Sequence, residues 1–515
     1  MRIYLTLSLA AALSAPLLPG ADLWDLARQS RDVHRFSTIL TAQDVRDRLS
    51  TDAGLDAAID WCKKTAITKV YMESFRDGYQ AEKPALLHAR QRFLDAGFDV
   101  SGCVTTTGVG KPTGGYKPLS CYTDKPTQEK LKAIFEYAAG MFDEIMIDDF
   151  WFTDCKCPEC DKARAARKAT IGDTSYPVAG DTWEDYRGEL LLQLSRNYIL
   201  GAARRVNPKV RIIIKYPQWY DSFHERGYDV ERETRDFDRI WVGTETRDRD
   251  QKGAPQYEGY FIMRWLGKLG GEKTGGGWFD PFRTTERTYV EQARQTVLAG
   301  ARESVLFCYG GLLRQTGPAD LEALRAQIPE LLDTAREVRR RQVKGIAAYK
   351  PPNSHAEKEM YVFDFLGMLG LPLVPCHQFP ADAPAAFFSV HALKDADLAA
   401  KLSRFIAAGK PVLLTDGLAE QLAGKVHLDA PNVHVLRVAG SPKSLLDLSG
   451  DDVAQLRAPL LRALGVTFRG PNGAGLYLFD DGSWVVENFN DEAAPVEIDG
   501  KSLTVPARGW LKTWK

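Results

Sequence analysis

The chain has 515 residues, more than one ordinary domain holds, so two or three domains are expected. Hydrophobic residues make up 44% and charged residues 26%, with a formal net charge of −1, which excludes the basic excess of a nucleic-acid binder. Eight cysteines are too sparse for a disulfide scaffold.

The chain opens MRIYLTLSLAAALSAPLLPGAD. Arg2 precedes a Leu/Ala-rich run, and small residues lead up to Ala21. This predicts a secretory signal peptide over 1–21 and a secreted or periplasmic protein. The run is short and broken by Pro16 and Pro19, so a membrane anchor is the weaker reading. No other span is apolar and long enough to cross a membrane, so no membrane span is expected in the mature chain.

From residue 36 to 342 short apolar runs alternate with helical patterns. Strands are predicted at Phe36–Leu40, Thr68–Met72, Phe98–Thr105, Glu144–Ile147, Arg211–Ile214, Arg239–Val242, Thr274–Phe279 and Ser304–Cys308. Eight such units predict a (β/α)8 barrel over 22–342. A doubly wound sheet fits less well, because polar residues cluster after nearly every strand. Residues 343–440 restart the alternation with shorter units and predict a flavodoxin-like α/β domain. Residues 441–515 read as a linker helix and a small C-terminal β-sandwich, with hairpin turns at Asp481-Gly482 and Asp499-Gly500.

Chemistry concentrates at strand ends, which in a barrel of this kind face the active mouth. The fourth strand ends in Asp148 and Asp149, followed by Phe150, Trp151 and Phe152. Alternation turns Ile145 and Ile147 toward the helices and Met146 and Asp148 toward the barrel axis. Neighbouring carboxylates repel, so one of the two should hold its proton more tightly. Glu245, in GTETRD after strand six, is the partner acid, with Arg247 beside it to orient it or to bind a hydroxyl. A surface pair between Glu245 and Arg247 is the plainer alternative. Asp148, Asp149 and Glu245 are therefore the candidate catalytic residues. Glu73 and Arg76 after strand two are candidates for substrate binding, or for a simple rim salt bridge. Lys215, Gln218 and Trp219 after strand five, and Trp278 and Asp280 in GGGWFD, join Trp151 and Arg247 as candidate substrate contacts. Rings interleaved with polar groups suit sugar faces and hydroxyls.

Cys155, Cys157 and Cys160 form a C-x-C-x2-C run. Three thiolates in six residues suit zinc better than a disulfide, and Cys121 is the leading fourth ligand. A disulfide with spare thiols remains open. Such a site would be structural, and no cofactor is expected for catalysis. No HExxH, G-x-S-x-G, P-loop or dinucleotide fingerprint occurs.

The domain order and the cysteine spacing resemble glycoside hydrolase family 42 β-galactosidases. That resemblance implies a barrel, a flavodoxin-like domain through which copies of the chain associate, a small β domain, and zinc on Cys121, Cys155, Cys157 and Cys160. Where that family carries Asn-Glu, this chain has Asp148-Asp149. The sequence IDDFW resembles α-galactosidase-like barrels instead, which implies a nucleophilic Asp after strand four and an acid/base after strand six. Together these readings predict a secreted, retaining glycoside hydrolase acting on an oligosaccharide or glycoside. The alternatives are a non-catalytic carbohydrate-binding barrel, or a lyase or epimerase with Lys215 or Tyr220 as base.

Overall fold

A computed structural model describes residues 22–247, 255–438 and 440–515, so the expected leader over 1–21 lies outside the described residues. Eight parallel strands form the N-terminal unit: β1 (Arg35–Leu40), β2 (Ile67–Arg76), β3 (Asp99–Val104), β4 (Glu144–Ile147), β5 (Arg211–Tyr216), β6 (Arg239–Gly243), β7 (Thr274–Phe279) and β8 (Glu303–Leu306). Each pairs with its neighbour in chain order, and β1 pairs with both β2 and β8. The sheet is a closed (β/α)8 barrel.

Each strand sends one side chain into a shared interior layer: Ile39, Tyr71, Cys103, Met146, Ile213, Trp241, Trp278 and Val305. Ile145 and Ile147 pack outward with the helices, so the alternation predicted for β4 holds. This parity delivers Asp148 to the barrel mouth. The glycines of β7 answer a packing need. A Cβ on Gly275 or Gly276 would overlap the Trp241 indole, and one on Gly277 would strike Thr296. The glycines make room for a tryptophan inside the barrel.

The helical stretch 183–206 is interrupted by a π-helical segment, Ser195–Leu200. At its start Ser195 Oγ donates to the Leu191 carbonyl at 2.8 Å and accepts from Trp151 Nε1 at 2.9 Å. This anchors the loop after β4 to the helix that follows it.

The second unit is a five-stranded parallel sheet in the order Leu373–Cys376, Ile346–Tyr349, Ala386–Phe388, Val412–Thr415, Val433–Leu436. That is the flavodoxin-like order 2-1-3-4-5. Its last strand was not predicted: it is an edge strand with only Leu436 buried, so it leaves no apolar run to read. Polar bonds seat this unit on the barrel. His391 Nε2 lies 2.8 Å from Asp221 Oδ1, Tyr220 Oη donates to Asp364 at 2.7 Å, and Trp265 Nε1 donates to the Lys350 carbonyl at 2.8 Å.

Two small antiparallel sheets close the chain. One joins Val343–Lys344, Ala474–Phe479, Trp484–Asn488 and Trp510–Thr513; the other joins Phe468–Arg469, Ala494–Ile498 and Lys501–Val505. In the Asp499-Gly500 turn both residues have positive φ, 47° and 76°, as a tight hairpin turn requires.

The C-terminal sheet meets the barrel through a fully buried carboxyl. Glu487 accepts from Tyr477 Oη at 3.2 Å and from Gln295 Nε2 of a barrel helix. Burial, opposed by Arg294, raises its pKa from 4.5 to about 7. A carboxyl raised on folding binds its proton more tightly in the native state. Its contribution is therefore complete below the unfolded pKa and is lost as pH rises toward 7. The loss amounts to at most about 3 kcal/mol by pH 8. Glu487→Gln should then raise the melting temperature at pH 8 and leave it nearly unchanged at pH 4.5. Equal shifts at both pH values would contradict a buried charge.

Candidate active site

A cleft of about 750 Å³ opens at the C-terminal mouth of the barrel. Among the predicted residues, Arg76, Asp148, Asp149, Arg247 and Trp278 line it.

Asp148 and Asp149 are adjacent residues whose carboxyls interact with each other but take different partners. Asp148 turns toward β2 and β3: Arg76 Nη2 donates to its Oδ2 at 2.7 Å, and Thr105 Oγ1 lies 2.9 Å from the same oxygen. The backbone N–H of Asp149 donates to Asp148 Oδ1 at 2.7 Å. Asp149 turns toward β5, where Lys215 Nζ donates to its Oδ2 at 2.7 Å. Asp148 is 1% exposed, whereas the Asp149 side chain keeps 19% of its surface in the cleft. Their environments separate their acidities. Burial and the neighbouring Asp149 charge push Asp148 well up, against the pull of Arg76. Burial also raises Asp149, but the Lys215 ammonium outweighs it and holds Asp149 below the usual carboxylate range. Two carboxyls whose environments drive them apart are the raw material of acid–base work.

Arg76 is shared. Its Nε donates to Glu73 at 2.8 Å while Nη2 serves Asp148, and its guanidinium lies 5.2 Å from the Phe307 ring centroid. Glu73 does form the rim salt bridge with Arg76, but it also accepts from the Ala42 N–H at 3.0 Å and from Thr105 Oγ1, and it is fully buried. It lies beneath the cleft.

Lys215 is fully buried with Nζ 4.6 Å from the Trp278 ring centroid. Burial pulls its pKa down, but Asp149, Glu245 and Asp148 together raise it. Ion pairs to Asp149 and Glu245 tie Lys215 into the charge network of the site, which disfavours it as the base of the lyase reading. Tyr220 is disfavoured as well: it is buried at the junction with the second unit, its hydroxyl bonded to Asp364.

Glu245 departs from expectation. It is fully buried, does not line the cleft, and pairs with Lys215 Nζ at 3.3 Å. Burial raises its pKa, Lys215 opposing, and its Oε2 has no hydrogen-bond partner among the described residues. Arg247, read beside Glu245 in sequence, stays 3.9 Å from it and grips Asp280 instead, with Nε 2.9 Å from Oδ2. Asp280 is buried, also accepts from the Phe282 N–H at 3.0 Å, and serves to position Arg247. Residues 248–254, which follow Arg247, lie outside the described residues.

Two predicted sugar platforms lie elsewhere. Trp151 is fully buried, its indole against Tyr122 at 4.9 Å. Trp219 packs among Phe152, Phe223 and Tyr228 with centroids 5.2 to 5.7 Å apart, so it anchors the loop after β5. Neither Trp219 nor Gln218 lines the cleft. The aromatic wall is built from Trp278 stacked on Phe307 at 5.1 Å, with Phe282 edge-on to Phe307 at 6.0 Å and Phe150 on the cleft lining. Phe282, Phe307 and Asp44 were missed in the sequence. Asp44 is visible there only as the last residue of a helix capping box opened by Thr41, which hides its place on the cleft.

Sulfurs of Cys121, Cys157 and Cys160 stand 3.6 to 3.8 Å apart, and Cys155 joins them within 4.8 Å. All four are free thiols. The loop they gather also carries Asp154, which accepts from the Tyr116 N–H at 2.8 Å, and Tyr116 stacks on Phe150 at 6.4 Å.

Residues 23–348 match the family model described as "Probable glycosyl hydrolase, catalytic domain". The chain belongs to this family. Residues 339–439 match a model for the second domain of Uncharacterized protein SSO3021. That protein, from Saccharolobus solfataricus, is 28% identical over 342 residues, which are 61% of this chain and 56% of the relative. The chain thus spans little more than half the length of the curated relative it matches. Among solved structures, alpha-L-fucosidase isoenzyme 2 from Paenibacillus thiaminolyticus aligns with a TM-score of 0.52 at 10% identity, over 74% of this chain and 64% of that one. Exo-beta-1,4-mannosidase Op5Man5 from Opitutaceae bacterium strain TAV5 aligns with a TM-score of 0.47 at 12% identity, over 92% and 88% of the two chains. At 10% identity the property shared with the fucosidase is the fold. Among the described residues no helix is long and apolar enough to cross a membrane.

Proposed function

We propose that this glycosyl hydrolase family member cleaves O-glycosidic bonds of an oligosaccharide or glycoside by a retaining mechanism. Asp149 is the nucleophile and Asp148 the proton donor. The observation that carries this is the contrast in partners of two adjacent carboxyls on the cleft floor, Arg76 on Asp148 and Lys215 on Asp149. One is held ionised by Lys215 and the other is driven to keep its proton. The two carboxyls interact directly, whereas an inverting pair needs about 6.5–9.5 Å to admit a water. Asp148 protonates the departing oxygen while Asp149 attacks the anomeric carbon. In the second step Asp148, now ionised, deprotonates the incoming water. Arg76 positions Asp148, and Lys215 positions Asp149. Glu245, buried behind Lys215, serves as that lysine's counter-charge. Trp278, Phe307 and Phe282 supply apolar faces for the sugar. Purified protein incubated with nitrophenyl α- and β-glycosides and with plant and algal polysaccharides should release nitrophenol or reducing ends from at least one. Binding of an oligosaccharide without product after long incubation would point to a non-catalytic barrel.

The cysteine quartet fits a structural zinc. A tetrahedral Zn–S4 centre with bonds of about 2.3 Å puts sulfurs roughly 3.8 Å apart, close to the spacing here, whereas a disulfide needs about 2.05 Å. Closed by four thiolates, such a centre supplies no open position and stabilises the loop after β4 only. Cys157→Ser should lower zinc content, melting temperature and activity together, although no cysteine of the quartet touches the cleft. Unchanged zinc by elemental analysis would contradict the assignment. Export rests on the leader over 1–21. Its test is N-terminal sequencing of the protein recovered outside the cytoplasm, expected to begin near Asp22.

A further inference from the structure

A second cleft, about 510 Å³, opens at the junction of the barrel with the flavodoxin-like unit. Three potential metal ligands meet there from three separate elements. Glu184 lies in the first turn of the helix Trp183–Leu194. His224 opens a 3-10 turn in the loop after β5. His355 comes from the second unit, in the loop that follows the strand Ile346–Tyr349. His224 Nε2 and His355 Nδ1 face each other at 3.0 Å, their rings nearly perpendicular at 88°. His355 Nε2 lies 3.3 Å from Glu184 Oε2. One donor atom from each of the three residues lies within 4.8 Å of the others.

We propose that Glu184, His224 and His355 bind a first-row divalent transition metal ion that clamps the second unit to the barrel. Two imidazoles and one carboxylate are a borderline-soft set that suits zinc, cobalt or nickel over calcium or magnesium. Tetrahedral zinc with Zn–N bonds of about 2.05 Å separates its ligand nitrogens by roughly 3.3 Å, so the two rings need to part by only a few tenths of an ångström. His224 is 7% exposed and is fixed in place, while the His355 and Glu184 side chains keep 47% and 34% of their surface and can adjust. Glu184 must swing from Nε2 of His355 toward Nδ1. The open cleft leaves water room to complete the coordination. Of the other carboxylates on the cleft, Glu189 and Asp229 are already taken by Arg232, at 2.7 and 2.6 Å. Asp185 and Lys394 complete the charged lining. The site is separate from the cysteine quartet and from the active-site cleft.

The test is equilibrium dialysis of the full chain against micromolar zinc chloride, followed by elemental analysis. The parent should hold one zinc per chain more than His224→Ala/His355→Ala, whatever the cysteine site contains. The exposed His355→Ala single variant guards against misfolding, and it should lose the same zinc while its circular dichroism stays that of the parent. With cobalt, both variants should lose a weak visible d–d absorption and keep the intense thiolate-to-metal bands in the near ultraviolet. Zinc should raise the melting temperature of the parent more than that of either variant. Equal zinc content in parent and variants, or an unchanged cobalt spectrum, overturns the proposal and leaves a hydrogen-bonded histidine pair.

Discussion

Asp149→Ala should lower kcat on aryl glycosides about ten-thousandfold, a loss of ~5 kcal/mol in transition-state stabilisation, with the fold intact. The variant keeps its proton donor but has no group to trap the oxocarbenium-like centre. Azide occupies the space the carboxylate leaves and should restore turnover as a glycosyl azide of inverted configuration. Asp148→Ala should behave differently. A dinitrophenolate leaves without protonation, so kcat/KM on that substrate should fall only slightly while kcat drops because hydrolysis of the intermediate lacks its base, whereas poor leaving groups should lose several orders of magnitude in kcat/KM. Azide there should yield the retained configuration. The pH profile separates the two roles again. Parent activity needs Asp149 ionised and Asp148 protonated, and the raised affinity of Asp148 for its proton sets the alkaline limb. That limb should vanish in Asp148→Ala. Identical azide products from both variants would sink the assignment of nucleophile and acid.

The barrel was legible because parallel strands are buried on both faces and leave apolar runs such as Ile212, Ile213 and Ile214. Each run ended where polar residues began, and that placed Asp148, Asp149, Arg76 and Arg247 at the mouth. Strand parity was legible for the same reason, as Met146 shows. Depth was not. Glu245 and Asp280 follow strand ends as Asp149 does, yet both are fully buried, because Lys215 and Arg247 reach them from neighbouring strands. A sequence gives the order of side chains along one strand and nothing of which cation crosses from the next. Trp151 and Trp219 illustrate the same limit. Ring chemistry qualifies a residue as a sugar platform, but Ser195 in a π-helical turn claims one indole and an aromatic cluster claims the other. The space that the GGG of β7 creates is filled by Trp241 from β6, which no single strand reveals. Cys121 was found because consecutive βα loops are neighbours in a barrel. Glu184, His224 and His355 were not found, because they come together only where two domains meet.

Lys215→Met should cost much of the activity, although Lys215 lies outside the cleft lining. Its ammonium stands 2.7 Å from Asp149 and 3.3 Å from Glu245, and it is the cation both acids contact. Without it, two carboxyls face each other in a buried site, and one must take up a proton. Asp149 then spends part of its time protonated, and a protonated carboxyl does not attack. The acid limb of kcat/KM, set in the parent by an Asp149 held below the usual range, should move to higher pH, and activity at neutral pH should fall on the order of a hundredfold or more. Stability should fall too, by about 3–5 kcal/mol, as expected when one partner of a buried ion pair is removed. Loss of stability alone would be a structural effect; the displaced acid limb is the signature of positioning. Glu245→Gln in the Lys215→Met background supplies the control. It removes the second carboxyl, so Asp149 no longer competes for charge, and the acid limb should return part of the way. Glu245→Gln by itself should leave the leaving-group dependence of the reaction unchanged, because the proton comes from Asp148. A strong new dependence on leaving group in that variant would return the role of proton donor to Glu245.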